Sequence, residues 1–172
     1  MTPSADPLIL TLALDDLSFA RFDALRREHF PPALNHIPAH VTLFHHLPGE
    51  EEPQILADLA SLCAVQGSCS VRVANLFPMG RGVAFRLEVP EVATLRAELA
   101  RRWGHALTPQ DRQPWRPHVT VQNKVAPDLA RDTLAHLKAA FVPWDARAEG
   151  LLLWRYKGGP WEPRGRLPFT GT

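Results

Sequence analysis

Residues 38–49 read PAHVTLFHHLPG, and residues 115–125 read WRPHVTVQNKV. Both stretches carry His-Val-Thr behind a proline-bearing loop, and His118 follows His40 by 78 positions. In an extended strand successive side chains point to opposite faces. His40 and Thr42 therefore share one face while Val41 takes the other, and His118, Thr120 and Val119 divide in the same way. Each motif offers an imidazole beside a hydroxyl, with a valine left to pack behind them.

The segments around the motifs follow one order twice. LILTLAL, from Leu8 to Leu14, reads as a buried strand bounded by Pro7 and Asp15. From about Leu17 to Phe30 the chain has a helical pattern, with Phe19, Phe22, Leu25 and Arg26 at spacings of three and four. Asp15, Asp16 and Ser18 are the candidate caps, and Pro31 and Pro32 stop the helix. After the first motif a helix is expected over about Glu51–Leu62 and a strand over Ser70–Phe77. Gly80 and Gly82 mark a turn into a strand at Val83–Val89. A helix at about Glu91–Trp103, the second motif and a helix at about Asp128–Phe141 repeat the series. Two closing strands are expected over Ala146–Gly150 running into Leu151–Tyr156, and a turn at Gly158-Gly159-Pro160 leads to Leu167-Pro168-Phe169. The recurrence points to duplication of an α+β lobe, with repeats at approximately 8–80 and 83–169 inside one domain of 172 residues.

Composition narrows the function classes. Hydrophobic residues make up 45% of the chain, enough for a packed core. The formal charge is +1, with 19 basic and 18 acidic side chains, so any nucleic-acid contact is expected at a pocket rather than along a basic track. Two cysteines, Cys63 and Cys69, make no disulfide framework and no CxxC pair, which favours a reducing compartment. The N-terminal apolar run closes at Asp15 and Asp16. It is too short for a membrane span and lacks a basic signal-peptide flank. The expectation is a cytoplasmic monomer with no membrane partner.

Two imidazoles and two hydroxyls converging on one ligand suit phosphodiester chemistry. Opening a cyclic phosphate needs a base to take a proton from the nucleophile and an acid to protonate the departing oxygen. Two histidines can hold opposite protonation states near neutral pH, while hydroxyls donate hydrogen bonds to the nonbridging oxygens. This chemistry requires no metal and no other cofactor. His36 and His40 stand at i, i+4, but Pro38 between them removes the helix that zinc ligation at this spacing needs, and no carboxylate accompanies the histidines in a ligand spacing. No Walker lysine loop or GxGxxG is present.

The paired HVTL and HVTV motifs, their separation, the flanking elements and the ending LLLWRYKGGPWEP at residues 151–163 resemble the 2H phosphoesterase superfamily. Within it, the likeness is to the bacterial 2′-5′ RNA ligase and RNA 2′,3′-cyclic phosphodiesterase group, and it covers about Leu8 to Phe169. The resemblance implies a bilobal α+β fold, with two antiparallel sheets, helices outside and a central cleft. It implies hydrolysis of a 2′,3′-cyclic RNA end or cyclic nucleotide to a 2′-phosphate, and ATP-independent joining of such an end to a 5′-hydroxyl. His40 would be the general acid, His118 the general base, and Thr42 and Thr120 the phosphate contacts. The residues alone do not distinguish acid from base. They also leave open a binding module without turnover, or another small cyclic substrate such as ADP-ribose cyclic phosphate or a 2′,5′-linked oligonucleotide.

Other residues allow two readings each. By strand parity Phe44 shares the His40 face, where it would stack on a base, or else it belongs to the core. Arg116, two residues before His118, is a phosphate contact or an exposed arginine. Lys124 reaches the cleft rim if the second motif strand continues to it. Trp154-Arg155-Tyr156-Lys157 mixes aromatics and cations, as for stacking and backbone charge, or is an edge strand with Trp154 and Tyr156 inward. Trp115 and Trp161 are equally open.

Overall fold

A computed structural model describes residues 5–172; the first four residues of the N-terminal stretch read above lie outside it. The elements are β1 (Leu8–Leu14), α1 (Asp16–His29), β2 (Thr42–Leu47), α2 (Glu52–Val65), β3 (Cys69–Pro78), β4 (Val83–Glu88), α3 (Pro90–Arg102), β5 (His118–Gln122), α4 (Pro127–Ala140), β6 (Trp144–Arg155) and β7 (Glu162–Pro168). The run β-α-β-α-β occurs twice, once over β1–β3 and again over β4–β6.

Local sequence explains these boundaries. The Asp15 side chain caps α1 by accepting the Ser18 backbone N–H at 3.2 Å, and Phe30 turns extended before the two prolines. The helices α2, α3 and α4 each carry a proline in the first turn, where its missing N–H costs no helical bond. In β3, Cys69, Val71 and Val73 are buried and Ser70 and Arg72 exposed, the alternation of a strand covered on one face. β1 is covered on both faces, so its near-continuous apolar run matches its place inside the sheet.

The strands form one curled, seven-stranded antiparallel sheet in the order β2-β1-β6-β3-β4-β5, with β7 also paired to β6. The two expected sheets are the halves of this one sheet. The twelve-residue β6, expected as two strands, belongs to both. Its first part, Trp144–Ala148, pairs with β3, and its second part, from Gly150 onward, lies between β1 and β7.

The third strand of each run is exchanged. β3 pairs with β4 of the second run, and β6 pairs with β1 of the first. Helices cross over as well. α1 packs on β5, and its Phe22 lies 5.3 Å from both Phe85 and Trp144 in the second half of the sheet. α3 returns the exchange through Trp103, whose ring lies 5.3 Å from Phe44 and whose Nε1 donates to Asp58 of α2 at 2.9 Å. A division near residue 80 therefore runs along the chain but not through the packed lobes.

Two buried arginines tie the halves together. Arg26 of α1 donates to the Thr120 carbonyl oxygen and to Asn35 Oδ1, both at 2.9 Å. Arg96 of α3 donates to the Leu43 carbonyl oxygen at 3.1 Å and to the Asp111 carbonyl oxygen at 2.8 Å. Each helix thus supports the motif strand of the other run. Burial lowers the pKa of both guanidiniums, which stay charged because an arginine starts far above neutral pH.

The β3–β4 turn meets the end of β5 closely. A Cβ on Gly82 would lie 1.9 Å from the Gln122 carbonyl oxygen. Backbone cannot yield as a flexible side chain does, so Gly82→Ala is expected to destabilise the fold by about 3 kcal/mol. Chemical denaturation measures this directly, and a midpoint equal to the parent's would show that the approach is looser than described.

Candidate active site

The two histidines sit at matching points of the sheet. Val41, next to His40, accepts the Leu12 N–H through its carbonyl oxygen at 2.9 Å, extending the β1–β2 pairing back toward the motif; Thr42 opposes Thr11. His118 opens β5 opposite Arg86, and Thr120 opposes Ala84. Val41 and Val119 are both fully buried behind the motifs, as the period of a strand requires.

The rings are held alike. His40 Nδ1–H donates to the Pro38 carbonyl oxygen at 2.9 Å, and His118 Nδ1–H donates to the Arg116 carbonyl oxygen at 2.8 Å. A carbonyl only accepts, so each bond requires the proton on Nδ1. In the neutral ring that leaves the Nε2 lone pair free. An aromatic ring flanks each imidazole. Trp161 lies 4.8 Å from His40 and Phe77 lies 5.9 Å from His118, both edge to face. The exchanged strands explain the pairing, since Phe77 is on β3 and Trp161 follows β6. Each run lends the other its aromatic.

Burial sets the charge state of His40. His40 is half-buried, and desolvation pushes its pKa down to about 4. The charges of Arg26, His118 and His45 add to this, while the bond to Pro38 opposes it. At neutral pH the free protein therefore holds His40 as a neutral imidazole.

Two cavities adjoin the motifs. The first, of about 390 Å³, is largely apolar and includes His40, Phe19, Trp154 and Trp161, with Asp16 and Arg166 among its polar groups. Trp154 is fixed there by donating Nε1–H to Thr11 Oγ1 at 2.9 Å. The second, of about 300 Å³, is more polar than the first: Thr42, His45, Gln110, Gln113, Arg116 and His118 line it beside Leu43 and Pro114. Trp115 forms part of its wall and donates Nε1–H to the Thr42 carbonyl oxygen at 2.8 Å. The Thr120 hydroxyl is half-buried and donates to Met79 Sδ at 3.5 Å, a weak acceptor that releases it readily to a better one.

Two expectations from strand parity fail here. Register shifts on either side of the Leu10–Phe44 pair interrupt the alternation of β2. Phe44 is consequently fully buried, against Trp103 and beneath the Arg96 guanidinium at 4.5 Å, so it is core and stacks on no ligand. Lys124 is not on a continuing strand. β5 ends at Gln122, and Lys124 stands at φ 64° in a turn, with its N–H bonded to Asn123 Oδ1. The neighbouring Val125 is tied to Arg81 of the β3–β4 turn, so the segment lies at the end of β5 away from His118. Arg116 is exposed at the second cavity, and no carboxylate among the described residues pairs with it. No cluster of three or more His, Cys, Asp or Glu side chains suited to a metal ion occurs among the described residues. No helix among them is long and apolar enough to cross a membrane.

The sequence reading missed His45 and Asp111. Asp111 is fully buried in the loop before the second motif. It accepts the backbone N–H of His45 and His46 at 2.9 Å each and the His45 ring nitrogen Nδ1 at 3.1 Å. Burial alone would raise its pKa; these hydrogen bonds outweigh burial and hold the carboxyl below its ordinary range. The partners are 66 residues apart, and no local pattern announces the pair.

Solved structures share the architecture. TT0787 of Thermus thermophilus superposes with a TM-score of 0.67 at 18% identity, covering 96% of this chain and 98% of its own. A structure described as a phosphoesterase gives 0.61 at 18% identity, covering 96% and 99%. LigT of E. coli, solved with 3′-AMP, gives 0.59 at 17% identity, also covering 96% and 99%. At these identities the likeness is one of fold. The search of curated proteins found no match. The family model described as "2'-5' RNA ligase superfamily" matches residues 14–160, a stretch holding both histidine motifs and most of the sheet. By that match this α+β chain belongs to the 2′-5′ RNA ligase superfamily, a family of phosphoesterases and ligases within the 2H group.

Proposed function

We propose that this protein opens 2′,3′-cyclic phosphates at RNA ends to 2′-phosphates, and joins such ends to 5′-hydroxyls as an ATP-independent 2′-5′ ligase. The observation that carries the proposal is the pair of matched Nδ1–H bonds, to Pro38 and Arg116, which reserve Nε2 of His40 and of His118 for chemistry. One Nε2 takes the proton of the attacking water or hydroxyl, and the other gives a proton to O3′ as the P–O3′ bond breaks. Thr42 and Thr120 hold the nonbridging oxygens. The first cavity, with Trp154 and Trp161 beside His40, suits the terminal nucleobase. In the family likeness His40 is the acid. Free His40 is neutral at pH 7, so in that role it acquires its proton when the phosphate anion binds.

Incubation with nucleoside 2′,3′-cyclic phosphates, ADP-ribose cyclic phosphate and a 2′,5′-linked dinucleotide tests the proposal. A 2′-phosphate product from the first class is expected. A 3′-phosphate product, or binding without turnover, would refute it.

The pH dependence has a defined sign. The working pair carries one proton, so activity is lost when both rings are charged. In the free protein His40 becomes charged only near pH 4. The acidic limb of kcat/KM is therefore expected near pH 4, falling as pH drops through that value. Bound phosphate favours the protonated ring, so the acidic limb of kcat is expected at higher pH. A kcat/KM limb at the ordinary imidazole value would contradict the burial of His40.

A further inference from the structure

The second cavity contains more apparatus than a water nucleophile uses. It is an open recess of about 300 Å³, room for far more than one water molecule. Its wall includes His118 and Thr42 from the motifs, and also His45, Arg116, Gln110 and Gln113. No carboxylate is among the lining residues. Asp111, fully buried, meets the cavity through the His45 ring that it bonds. The lining therefore offers donors and positive charge, the chemistry of a phosphate site.

His45 is built into this wall. Asp111 takes its Nδ1 at 3.1 Å and also its backbone N–H at 2.9 Å, which fixes ring and strand together. The imidazole side chain is 45% exposed while its carboxylate is fully buried, so the other ring nitrogen is the one left for the cavity. A buried carboxylate that orients a histidine toward a ligand is a recurrent arrangement. The phosphoryl chemistry proposed above does not use it.

In-line displacement places the nucleophile and the leaving oxygen on opposite sides of phosphorus. One histidine then serves each side. The apolar cavity beside His40 suits a base, which leaves the polar cavity beside His118 for the nucleophile. We propose that this cavity is a subsite for the acceptor strand, and that His45, oriented by Asp111, is a specificity-determining contact to the first phosphate of an incoming 5′-hydroxyl oligonucleotide. The inference rests on the function proposed above and assigns residues to the acceptor of that reaction. Donation to both the Asp111 carboxylate and that phosphate requires a proton on each ring nitrogen. Arg116 supplies a second donor. In the transfer the acceptor 5′-hydroxyl gives its proton to His118 as the P–O5′ bond forms. The P–O3′ bond breaks, and O3′ takes a proton from His40. The 2′,5′-linkage results with no co-reactant.

The test is a partition experiment on the intact protein. An oligonucleotide with a 2′,3′-cyclic end is incubated with adenosine or with adenosine 3′-monophosphate as acceptor, and ligated product is compared with 2′-phosphate product in the same tube. The wild type is expected to prefer the phosphorylated acceptor at least tenfold. His45→Gln is expected to remove that preference and lower the ratio of ligation to hydrolysis about tenfold, and Arg116→Gln to lower it less. An unchanged ratio in His45→Gln, or equal use of the two acceptors by the wild type, overturns the subsite. If the wild type turns over no cyclic phosphate, the proposed function fails separately. Titration of adenosine 3′-monophosphate against adenosine, in wild type and His45→Gln, then decides the subsite. A phosphate-dependent affinity that His45→Gln weakens tenfold keeps it, and equal affinities reject it.

Discussion

Alanine in place of His118 is expected to lower turnover of a 2′,3′-cyclic nucleotide by about 10³-fold, and His40→Ala by a similar factor, within the range for losing one positioned acid or base. Neither ring is fully buried, and neither supports the sheet ladder, so both variants should fold with the parent's unfolding midpoint. The double variant should fall little below the worse single one, because acid and base act in the same step and their contributions do not add. The decisive measurement is single-turnover cleavage with separation of 2′- and 3′-phosphate products. More than a tenth of wild-type turnover in either single variant would remove that imidazole from the mechanism.

The second large effect concerns folding. Cutting the chain in the turn between Gly80 and Arg81 should leave two fragments that are each unfolded alone and regain activity together. In the first fragment β3 loses both its neighbours, β4 and β6, and α1 loses the β5 surface it packs on and the Phe85 and Trp144 rings beside Phe22. In the second, β6 loses β1 along Ala148–Arg155 and β3 along Trp144–Ala148, and keeps only β7. Burying a phenylalanine side chain is worth about 2–3 kcal/mol, and ordinary domain stability is only about 5–15 kcal/mol, so neither fragment has a core to spare. Far-UV circular dichroism of each piece and of the mixture reads the outcome. A cooperatively folded first fragment would contradict the exchange of strands and helices described above.

Much of this was legible locally. The helices and strands follow from period, caps and prolines, and His-x-Thr reads directly as two side chains on one face. Arg26 also left a signal, because it falls on the apolar stripe with Phe22 and Leu25, where a guanidinium has to find a buried acceptor. Pairings between distant segments were not legible. The β3–β4 hairpin was legible from the Gly80–Gly82 turn, but nothing in β3 says that its other neighbour is β6 rather than β1. Parity arguments failed where the backbone departed from a regular strand, at the register shifts around Phe44 and at the left-handed turn of Lys124. The Asp111–His45 pair depends on tertiary approach alone.

A strand that serves both lobes acts as a beam between them. Bending β6 at its middle would break the ladders to β1, β3 and β7, and Gly150 leaves no slack there, since even a methyl group would meet the Leu167 carbonyl oxygen at 2.6 Å. Such a beam resists a jaw-like swing of the two halves. Room for the proposed RNA end would then come from the rim, where Gly158 and Gly159 stand clear of neighbouring atoms just ahead of Trp161.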